Sequence, residues 1–419
     1  MHRFAAAFVG LIISSSVVRA ADWPQFQGPE RNGVSPETGL ADAWPADGPK
    51  LLWSNDKLGQ GYGGAVVQGG KIYVMDRVDN KQDILRCLSL ESGKEEWQFA
   101  NEAPGPFKGG YNGSRNLPAV DDKNVYVIGV YGLLNCVSKE THQSLWSVDL
   151  VKEYGATVSN WGFCQSPALY KDWVIVMPLS KQGGVLALER ATGKVAWKSE
   201  RVGEMAWTSP LIATIGGVDQ IIILTSRGEP IMTGLDAATG KVLWRYKGWV
   251  CPNPIASPIL LPEDRIFVTG GYDAGSALVQ VKKDGEAWTV TEIFRNKVLS
   301  SQAQNPVFYK GFIYGNSSGN KQGLMCIDLA GELKWKGGPS ASDEDAGSIL
   351  IADDKLYALG AADGVLRLIR ATPDGYKELG QIKAAEGQEF WGPMSLSDGK
   401  LIVRLRRSLK CYDVKAAAN

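Results

Sequence analysis

A strand-like pattern that recurs eight times along this 419-residue chain limits the possible folds more than any other feature. Each copy is a short run of apolar and aromatic residues, as in Lys71-Ile-Tyr-Val and Lys400-Leu-Ile-Val. The copies lie 43 to 53 residues apart at their third residues, which are Tyr73, Tyr126, Ile175, Ile222, Phe267, Tyr314, Tyr357 and Ile402. Such a period is typical of repeat proteins, in which units that cannot bury their apolar faces alone stack on their neighbours.

A second motif follows most copies of the first and ends in a tryptophan. Its clearest form is Gly234-Leu-Asp-Ala-Ala-Thr-Gly-Lys-Val-Leu-Trp244. Asp and Thr side chains hydrogen-bond to their own backbone and Gly accepts a positive φ, so the pattern predicts a tight turn between two strands. We expect the tryptophan to pack flat between neighbouring sheets. The tryptophans at or near this position are Trp53, Trp97, Trp146, Trp197, Trp244 and Trp335.

These repeats predict an all-β fold, an eight-bladed β-propeller of four-stranded antiparallel blades that forms a single domain over residues 21–419. The last unit has a third strand near Lys410–Val414 but no residues for a fourth. Near the start, Lys50-Leu-Leu-Trp53 reads as an outer strand without a unit of its own. We therefore expect this N-terminal strand to complete the last blade. An open β-solenoid is the alternative.

Composition excludes several classes of function. The chain has 45 basic and 45 acidic side chains, and this balance argues against nucleic-acid binding, which uses a basic surface. It has only two histidines, His2 and His142. A histidine-built zinc site or a Ser-His-Asp triad is therefore not expected. Glycine is abundant, with 49 residues, because eight blades need many tight turns.

The first twenty residues resemble a signal peptide. Arg3 precedes an apolar run from Phe4 to Val18, and Ala20 gives a small residue at the predicted cleavage point. An uncleaved membrane anchor is the alternative, although the run is shorter than the roughly 20 residues of a typical span. The first cysteine is Cys87, so no lipid-attachment cysteine follows the cut. We expect a monomeric protein of the periplasm or cell exterior, with no transmembrane segment after signal removal.

The turn motif resembles the tryptophan-docking motif of the pyrroloquinoline quinone (PQQ) propeller superfamily, and the resemblance covers nearly the whole chain after residue 20. This superfamily includes quinoprotein alcohol dehydrogenases and the BamB assembly factor. The opening run Trp23–Pro36 and the run Trp161–Pro167 are similar to a third group, exported PQQ-like repeat proteins of environmental bacteria. The docking motif is structural and common to all three groups, so it implies the fold and leaves the activity open.

The resemblance implies that the innermost strand of each blade starts at one face, beside the central channel. Residues just before these strands are then the candidate site residues. They are Tyr62, Arg115, Trp161, Trp207, Gln304, Asn305 and Trp391. Aromatic faces, amides and one cation suit a planar or carbohydrate-like ligand, or an anion. The alternative is that the aromatic side chains fill the channel and pack against each other.

Two functions from different classes remain. The first is a non-enzymatic binding or scaffold protein for a protein or glycan partner, in one version a BamB-like factor of envelope assembly. The second is a divergent PQQ-dependent dehydrogenase for alcohols or sugars, with calcium as the accompanying ion. The chain lacks the adjacent Cys-Cys pair of those alcohol dehydrogenases, is much shorter, and has no marked ion cage. We therefore predict no catalytic residue and no metal ligand.

The remaining polar features are weaker signals. Cys87, Cys136, Cys326 and Cys411 occupy a position where sister units have Ala or Gly, which predicts buried free thiols. Cys164 and Cys251 lie near the channel face and are candidates for reactive thiols. We expect His142 to be solvated in its turn, and Arg404 to lie with Arg406 and Arg407 at a solvated hairpin tip.

Overall fold

The computed structural model describes residues 22–226, 229, 232–318, 323–338, 347–387 and 390–417, and the predicted signal peptide lies outside these ranges. Two strands precede the repeats, β1 (Val34–Ser35) and β2 (Lys50–Asn55). The later strands form eight blades, in which chain order runs from the innermost strand to the outermost. The single helix of the described residues, α1 (Leu150–Tyr154), begins after its N-cap Asp149 and ends at Gly155.

The first four blades follow one another along the chain. Blade 1 has β3 (Ala65–Gln68), β4 (Lys71–Val78), β5 (Gln82–Ser89) and β6 (Glu95–Glu102); blade 2 has β7 (Ala119–Val120), β8 (Asn124–Ile128), β9 (Leu133–Ser138) and β10 (Ser144–Asp149). Blade 3 has β11 (Ala168–Tyr170), β12 (Trp173–Val176), β13 (Leu186–Glu189) and β14 (Val195–Lys198); blade 4 has β15 (Leu211–Ile215), β16 (Val218–Leu224), β17 (Met232–Asp236) and β18 (Val242–Tyr246).

The other four blades continue this order and close the ring. Blade 5 has β19 (Ile259–Leu261), β20 (Arg265–Gly270), β21 (Gly275–Asp284) and β22 (Ala287–Asn296); blade 6 has β23 (Val307–Tyr309), β24 (Phe312–Ser317), β25 (Gly323–Ile327) and β26 (Leu333–Gly337). Blade 7 has β27 (Ile349–Ala352), β28 (Lys355–Leu359), β29 (Val365–Arg370) and β30 (Glu378–Lys383); blade 8 has β31 (Ser395–Ser397), β32 (Lys400–Arg404) and β33 (Leu409–Asp413).

The predicted ring closure is confirmed. Strand β2 pairs antiparallel with β33, with Lys50 opposite Asp413 and Leu51 opposite Tyr412, and so supplies the fourth strand of blade 8. The fold is the predicted eight-bladed propeller of antiparallel blades. Blade 7 gains one further strand, because β1 pairs in parallel with the inner edge of β27.

Burial follows strand position within each blade. In blade 1 the six central residues of β4 are buried, whereas residues of β6 alternate between exposed and half-buried. The second strand is covered by blades on both sides, so both of its faces are apolar, and the recurring run at Lys71 is this strand. The outermost strand has solvent on one side, so its sequence alternates.

Docking tryptophans join several blades to the next blade along the chain. The indole Nε1 of Trp53 donates to Leu90 O at 3.0 Å, and that of Trp335 donates to Thr372 O at 2.7 Å. The indole Nε1 of Trp146 donates to Arg190 O at 2.8 Å, and its ring lies beside Gly193. Gly193 has φ +71°, and a Cβ there would lie 2.7 Å from the indole, so both the turn and the close approach require glycine.

The other members of the tryptophan set differ in their contacts. Trp197 packs over Gly240 of the next blade. The Trp244 Nε1 donates to Gln220 Oε1 of its own blade at 2.7 Å. Trp97 stacks on His142, with ring centroids 4.7 Å apart and an interplanar angle of 13°.

His142 is half-buried under this stack, not solvated as we expected from its place in a turn. It adopts φ +60° at the position where the sister turns have glycine. The imidazole replaces the missing close contact between glycine and indole with a ring-on-ring contact. The degenerate turn therefore keeps the packing of Trp97 against blade 2.

The repeated small residue lies directly opposite the docking aromatic side chain. Trp97 is in register with Cys87, Trp146 with Cys136, and Trp335 with Cys326. The equivalent partner of Trp244 is Gly234. All six cysteines are free, and Cys87, Cys136, Cys326 and Cys411 are buried. The residue at this position must have a small side chain because the indole lies across it.

The N-terminal strap, which we define as residues 22–49, crosses the face where the innermost strands end. Trp23 exchanges backbone hydrogen bonds with Val67 near the end of β3. Arg31 Nη2 donates to Pro210 O of blade 4 at 2.7 Å. Strand β1 then pairs with the end of β27 before the chain reaches β2. Through these contacts with blade 1, then blade 4 and then blade 7, the strap crosses the central channel. No helix within the described residues is long and apolar enough to cross a membrane.

Candidate functional site

A chain of hydrogen bonds between neighbouring blades frames the channel at the face where the innermost strands begin. In blades 2 to 6 the innermost strand is preceded by a proline, and the residue before that proline is Leu117, Ser166, Ser209, Ser257 or Asn305. Ser166 Oγ accepts from Leu117 N at 2.8 Å, and Ser209 Oγ accepts from Ser166 N at 2.9 Å. Ser257 Oγ accepts from Ser209 N at 2.8 Å. Each hydroxyl thus satisfies a backbone N–H of the preceding blade.

The channel contains a cavity of about 280 Å³ at this face. All seven residues predicted from the sequence line it, although they come from six different blades. The lining comprises Phe26, Tyr62, Tyr111, Arg115, Leu117, Trp161, Cys164, Ser166, Trp207, Ser209, Asn253, Ile255, Ser257, Tyr272, Gln302, Ala303, Gln304, Asn305, Trp391 and Pro393. The aromatic side chains pack against one another in places, yet they leave this cavity open between them.

Two groups of aromatic side chains line the cavity. Trp161 and Trp207 meet edge to face, with centroids 5.7 Å apart. Trp391 lies 5.2 Å from Tyr62 and 5.3 Å from Tyr111. The Trp207 indole is oriented by a hydrogen bond from its Nε1 to Ser159 Oγ at 3.1 Å. Each wall is therefore a preformed apolar surface.

Arg115 lies between the two aromatic groups. Its Nη1 donates to Trp161 O at 2.9 Å and to Gly113 O at 3.0 Å. Its Cζ lies 5.0 Å from the ring centroid of Tyr62 and 5.7 Å from that of Phe107. These contacts hold the guanidinium against ring faces, an arrangement that stabilises a cation. Arg115 thus braces the walls as well as lining the cavity.

The two predicted amides are both used within the protein. Gln304 Nε2 donates to Trp391 O at 2.5 Å across the channel. Asn305 Oδ1 accepts from Ser257 N at 2.8 Å, and its Nδ2 donates to Ser257 O at 3.3 Å. Asn305 therefore continues the inter-blade hydrogen-bond chain, and Gln304 positions the Trp391 backbone.

Phe26 of the strap belongs to the cavity lining and also packs against Val66 and Leu117. It approaches from the face opposite the lead-in segments, which are the residues just before the innermost strands. The strap therefore closes the channel below the cavity. At the open end, Tyr111 and Tyr272 are exposed and adopt φ +52° and +60°, values that are unusual for aromatic residues.

The candidate thiols are not activated. Burial raises the pKa of Cys164 to about 11, although Arg115 opposes the shift, and burial likewise raises the pKa of Cys251 to about 11. The thiolate is the nucleophilic form of cysteine, so both side chains are poor nucleophiles near neutral pH. Cys164 lines the cavity as a small, soft surface.

Sequence reasoning missed several lining residues and misplaced one arginine. Phe26 belongs to a distant segment, and no local signal places it in the channel. Tyr111 and Asn253 do precede innermost strands, so the same rule that found Trp161 would have found them. Arg404 is 1% exposed, with its Nη2 donating to Gly59 O at 3.0 Å, and is not at a solvated tip. Strand β32 runs toward the channel face and ends between blades 8 and 1.

The described residues do not fit a PQQ molecule with calcium. Such a pair needs aromatic stacking and cations, and also oxygen ligands for the ion and a carboxylate base. Aromatic faces and Arg115 provide the first two. None of the described lining residues is Asp or Glu, and the described ranges hold no group of three His, Cys, Asp or Glu side chains able to bind a metal.

Comparison with known proteins gives one family and two kinds of relative. The family model described as "Outer membrane protein assembly factor BamB" matches residues 80–336 and 181–403. The chain is 24% identical over 311 residues to outer membrane protein assembly factor BamB of Yersinia pestis, covering 68% of this chain and 75% of that protein. It is 25% identical over 191 residues to the dehydrogenase subunit of alcohol dehydrogenase (quinone) of Komagataeibacter europaeus, covering 42% of this chain and 25% of that protein.

Solved structures show the same architecture. BamB from Moraxella catarrhalis superposes with a TM-score of 0.62 at 14% identity, covering 88% of this chain and 99% of that one. Quinohemoprotein alcohol dehydrogenase from Comamonas testosteroni gives a TM-score of 0.65 at 15% identity, covering 95% of this chain and 81% of that one. At these identities the structural similarity shows the fold alone.

Proposed function

Because this chain belongs to the family described as outer membrane protein assembly factor BamB, we propose that it is an exported, non-enzymatic binding and scaffold propeller of the bacterial envelope. The channel cavity is the observation that carries this proposal. Its walls join aromatic faces, amides and hydroxyls on a rigid ring, and such walls suit binding of a protein or glycan partner.

The rigidity of the ring supports a scaffold role. Every lead-in segment is held at the start of a buried strand, and the inter-blade hydrogen-bond chain fixes successive segments relative to each other. A face preorganised in this way loses little conformational entropy when a partner binds. The same face needs no acid or base group to act as a binding surface.

A deletion strain tests the envelope role. We expect cells without this chain to hold less protein in their outer-membrane fraction, and a plasmid copy of the full chain to restore it. The measurement is quantitative mass spectrometry of membrane fractions from wild-type, deleted and complemented cells. Unchanged outer-membrane protein levels in the deleted strain would contradict a role in assembly.

A PQQ-dependent dehydrogenase is the second candidate, favoured by the quinone-dependent relative and by the aromatic cavity with Arg115. Purified protein would be incubated with PQQ and calcium chloride, then tested for a red-shifted quinone absorbance and for dye-linked oxidation of primary alcohols and sugars. We expect neither signal. Stoichiometric PQQ uptake with turnover would replace the binding function with the enzymatic one.

A further inference from the structure

We propose that the channel cavity binds the terminal pyranose ring of a neutral glycan end-on. This inference rests on the proposed non-enzymatic binding function and names its ligand class. It follows from three observations: two groups of aromatic side chains in the cavity lining, a row of hydroxyl and amide groups beside them, and a closed floor.

The aromatic walls match the faces of a sugar ring. A pyranose has two faces rich in C–H groups and a rim of hydroxyls. Trp161 with Trp207 forms one wall, and Trp391 with Tyr62 forms the other, each with centroids less than 6 Å apart. A sugar ring that stacks on either group buries a C–H face, which removes apolar surface from water.

Hydrogen-bond donors line the space between the walls. The hydroxyls of Ser166, Ser209 and Ser257 each accept a backbone N–H, and none donates to another described residue. All three side chains lie in the cavity lining and are at most 5% exposed. Their O–H groups are therefore buried donors that need an acceptor. Sugar hydroxyl oxygens are acceptors of the right kind.

Amide and indole groups add to this row. Asn253 lines the cavity, and its side chain makes no hydrogen bond with any described residue. The Trp391 indole N–H likewise has no acceptor among the described residues, although its backbone oxygen accepts from Gln304. An amide can donate to and accept from one hydroxyl or two neighbouring hydroxyls. The one cation of the described lining, Arg115, is held by two backbone carbonyls and the Tyr62 ring, and the groups of this row are neutral, so they suit a polar, uncharged ligand edge.

Because the floor of the cavity is closed, the cavity favours the end of a glycan chain over an internal segment. Phe26 and the strap block the channel below, so a ligand enters and leaves through the open face beside Tyr111 and Tyr272. An extended peptide that passed through would need a second opening. The volume of about 280 Å³ lies at the lower limit of the roughly 300–1,000 Å³ typical of ligand pockets, so one ring fits better than a long segment.

Simple glycosides test this inference on the full-length mature protein. Methyl glycosides of glucose, galactose and N-acetylglucosamine would be titrated to roughly 10 mM, where a millimolar Kd gives near-saturation. Saturation-transfer NMR should show transfer to the ring C–H protons of at least one glycoside. Decaproline, an extended peptide rich in apolar rings, serves as the competing ligand class.

Substitutions of residues in the cavity lining test whether the glycoside binds in the cavity. Trp391→Ala should weaken glycoside binding about tenfold, and Trp391→Phe should retain most of it because a ring face remains. Asn253→Ala should weaken binding several-fold without disturbing a hydrogen bond within the protein. Trp288→Ala is the matched control, since this tryptophan lies on the outermost strand of blade 5 and outside the cavity lining.

The outcomes separate this inference from the function on which it rests. Absence of transfer from every glycoside, stronger binding of decaproline, or equal loss of binding in Trp288→Ala would overturn the glycan assignment and leave envelope assembly standing. Glycoside binding in a protein whose deletion leaves outer-membrane proteins unchanged would support the assignment and overturn the assembly role. Dye-linked oxidation of the bound glycoside would overturn the non-enzymatic function itself.

Discussion

Single aromatic side chains carry the contacts between blades. Trp335 is 7% exposed; its Nε1 bonds to Thr372 of blade 7, and its ring packs edge to face on Tyr376 at 5.8 Å. Blade 5 uses Phe294 in the same way over Gly331 of blade 6. Each such residue contributes buried apolar area and, where it is an indole, one polar bond that fixes its orientation.

Replacing Trp335 with alanine should lower the free energy of unfolding by about 3–5 kcal/mol, because the side chain is buried and the turn of blade 7 does not collapse into the space. Urea unfolding followed by circular dichroism measures the change. Leu333→Ala is the control, since Leu333 lies on the same strand but is 49% exposed. Similar losses for the two variants would contradict the docking role.

Asp83 makes stability depend on pH. Burial raises its pKa to about 6, although its carboxylate accepts from Val130 N and lies near Arg77. Its pKa is therefore higher in the folded than in the unfolded chain, and folding takes up a proton between about pH 4 and 6. The Asp83 contribution to stability is present below this window and is lost as pH rises through it.

Asp83→Asn should remove this loss, because the amide is neutral at every pH. The stability of the variant relative to wild type should rise with pH between 4 and 6, by about 3 kcal/mol at most. Urea unfolding of both proteins at four pH values measures the difference. A difference that stays flat across these pH values would count against this assignment.

At the scale of elements, the lead-in segments form a continuous inter-blade chain that sequence patterns only half reveal. The Ser-Pro and Asn-Pro pairs recur visibly before the innermost strands, and proline keeps the preceding residue extended. The pattern does not show that each side chain reaches the backbone of the blade before it. That contact depends on the angle between blades, which is set by packing along the whole sheet.

Removing one hydroxyl of this chain tests its contribution. Ser209→Ala leaves the buried Ser166 N–H without its acceptor and should cost about 1–3 kcal/mol. Ser54→Ala removes an exposed hydroxyl that bonds only to Asp56 and should cost a few tenths at most. Thermal unfolding of the two variants makes the comparison. Equal melting temperatures would mean that the chain adds no net stability.

The strands predicted best were those whose pattern is set locally. The second strand of each blade is apolar on both faces because two sheets cover it, and the turn motif carries its own Gly and Thr signals. Strand β1, helix α1 and the strap were not predicted. Strand β1 is only two residues long, and its partner β27 lies more than 300 residues further along the chain, so no local pattern indicates it. The position of the cavity was predicted from the sequence. Its floor was not predicted, because Phe26 lies far in sequence from most of the other lining residues.

For the whole molecule, the N-terminal segment closes the ring in two ways. Strand β2 completes blade 8, and Trp53 on that strand docks on Leu90 of blade 1. The strap crosses the channel and contacts blades on opposite sides. Blades 8 and 1 are thereby joined through noncovalent contacts of β2, and loss of one contact weakens the seam between these two blades.

Trp53→Ala tests the seam. The residue is half-buried, so we expect a loss of about 2 kcal/mol, less than for a fully buried tryptophan. Native-state hydrogen exchange should speed up in β31 to β33 and in the strap, while β11 to β16 stay protected. Trp335→Ala should instead loosen blades 6 and 7. A uniform increase around the ring in the Trp53 variant would contradict a local seam.

The strap also has a consequence for the order in which the protein assembles. Residues 22–55 are synthesised early, yet their partners in blades 7 and 8 are synthesised last. Most of the repeats have therefore been made before this segment can find its final place, and until then β1 and β2 lack the strands with which they pair. The edges of these two strands therefore stay open to pairing with other chains until β27 and β33 have been made.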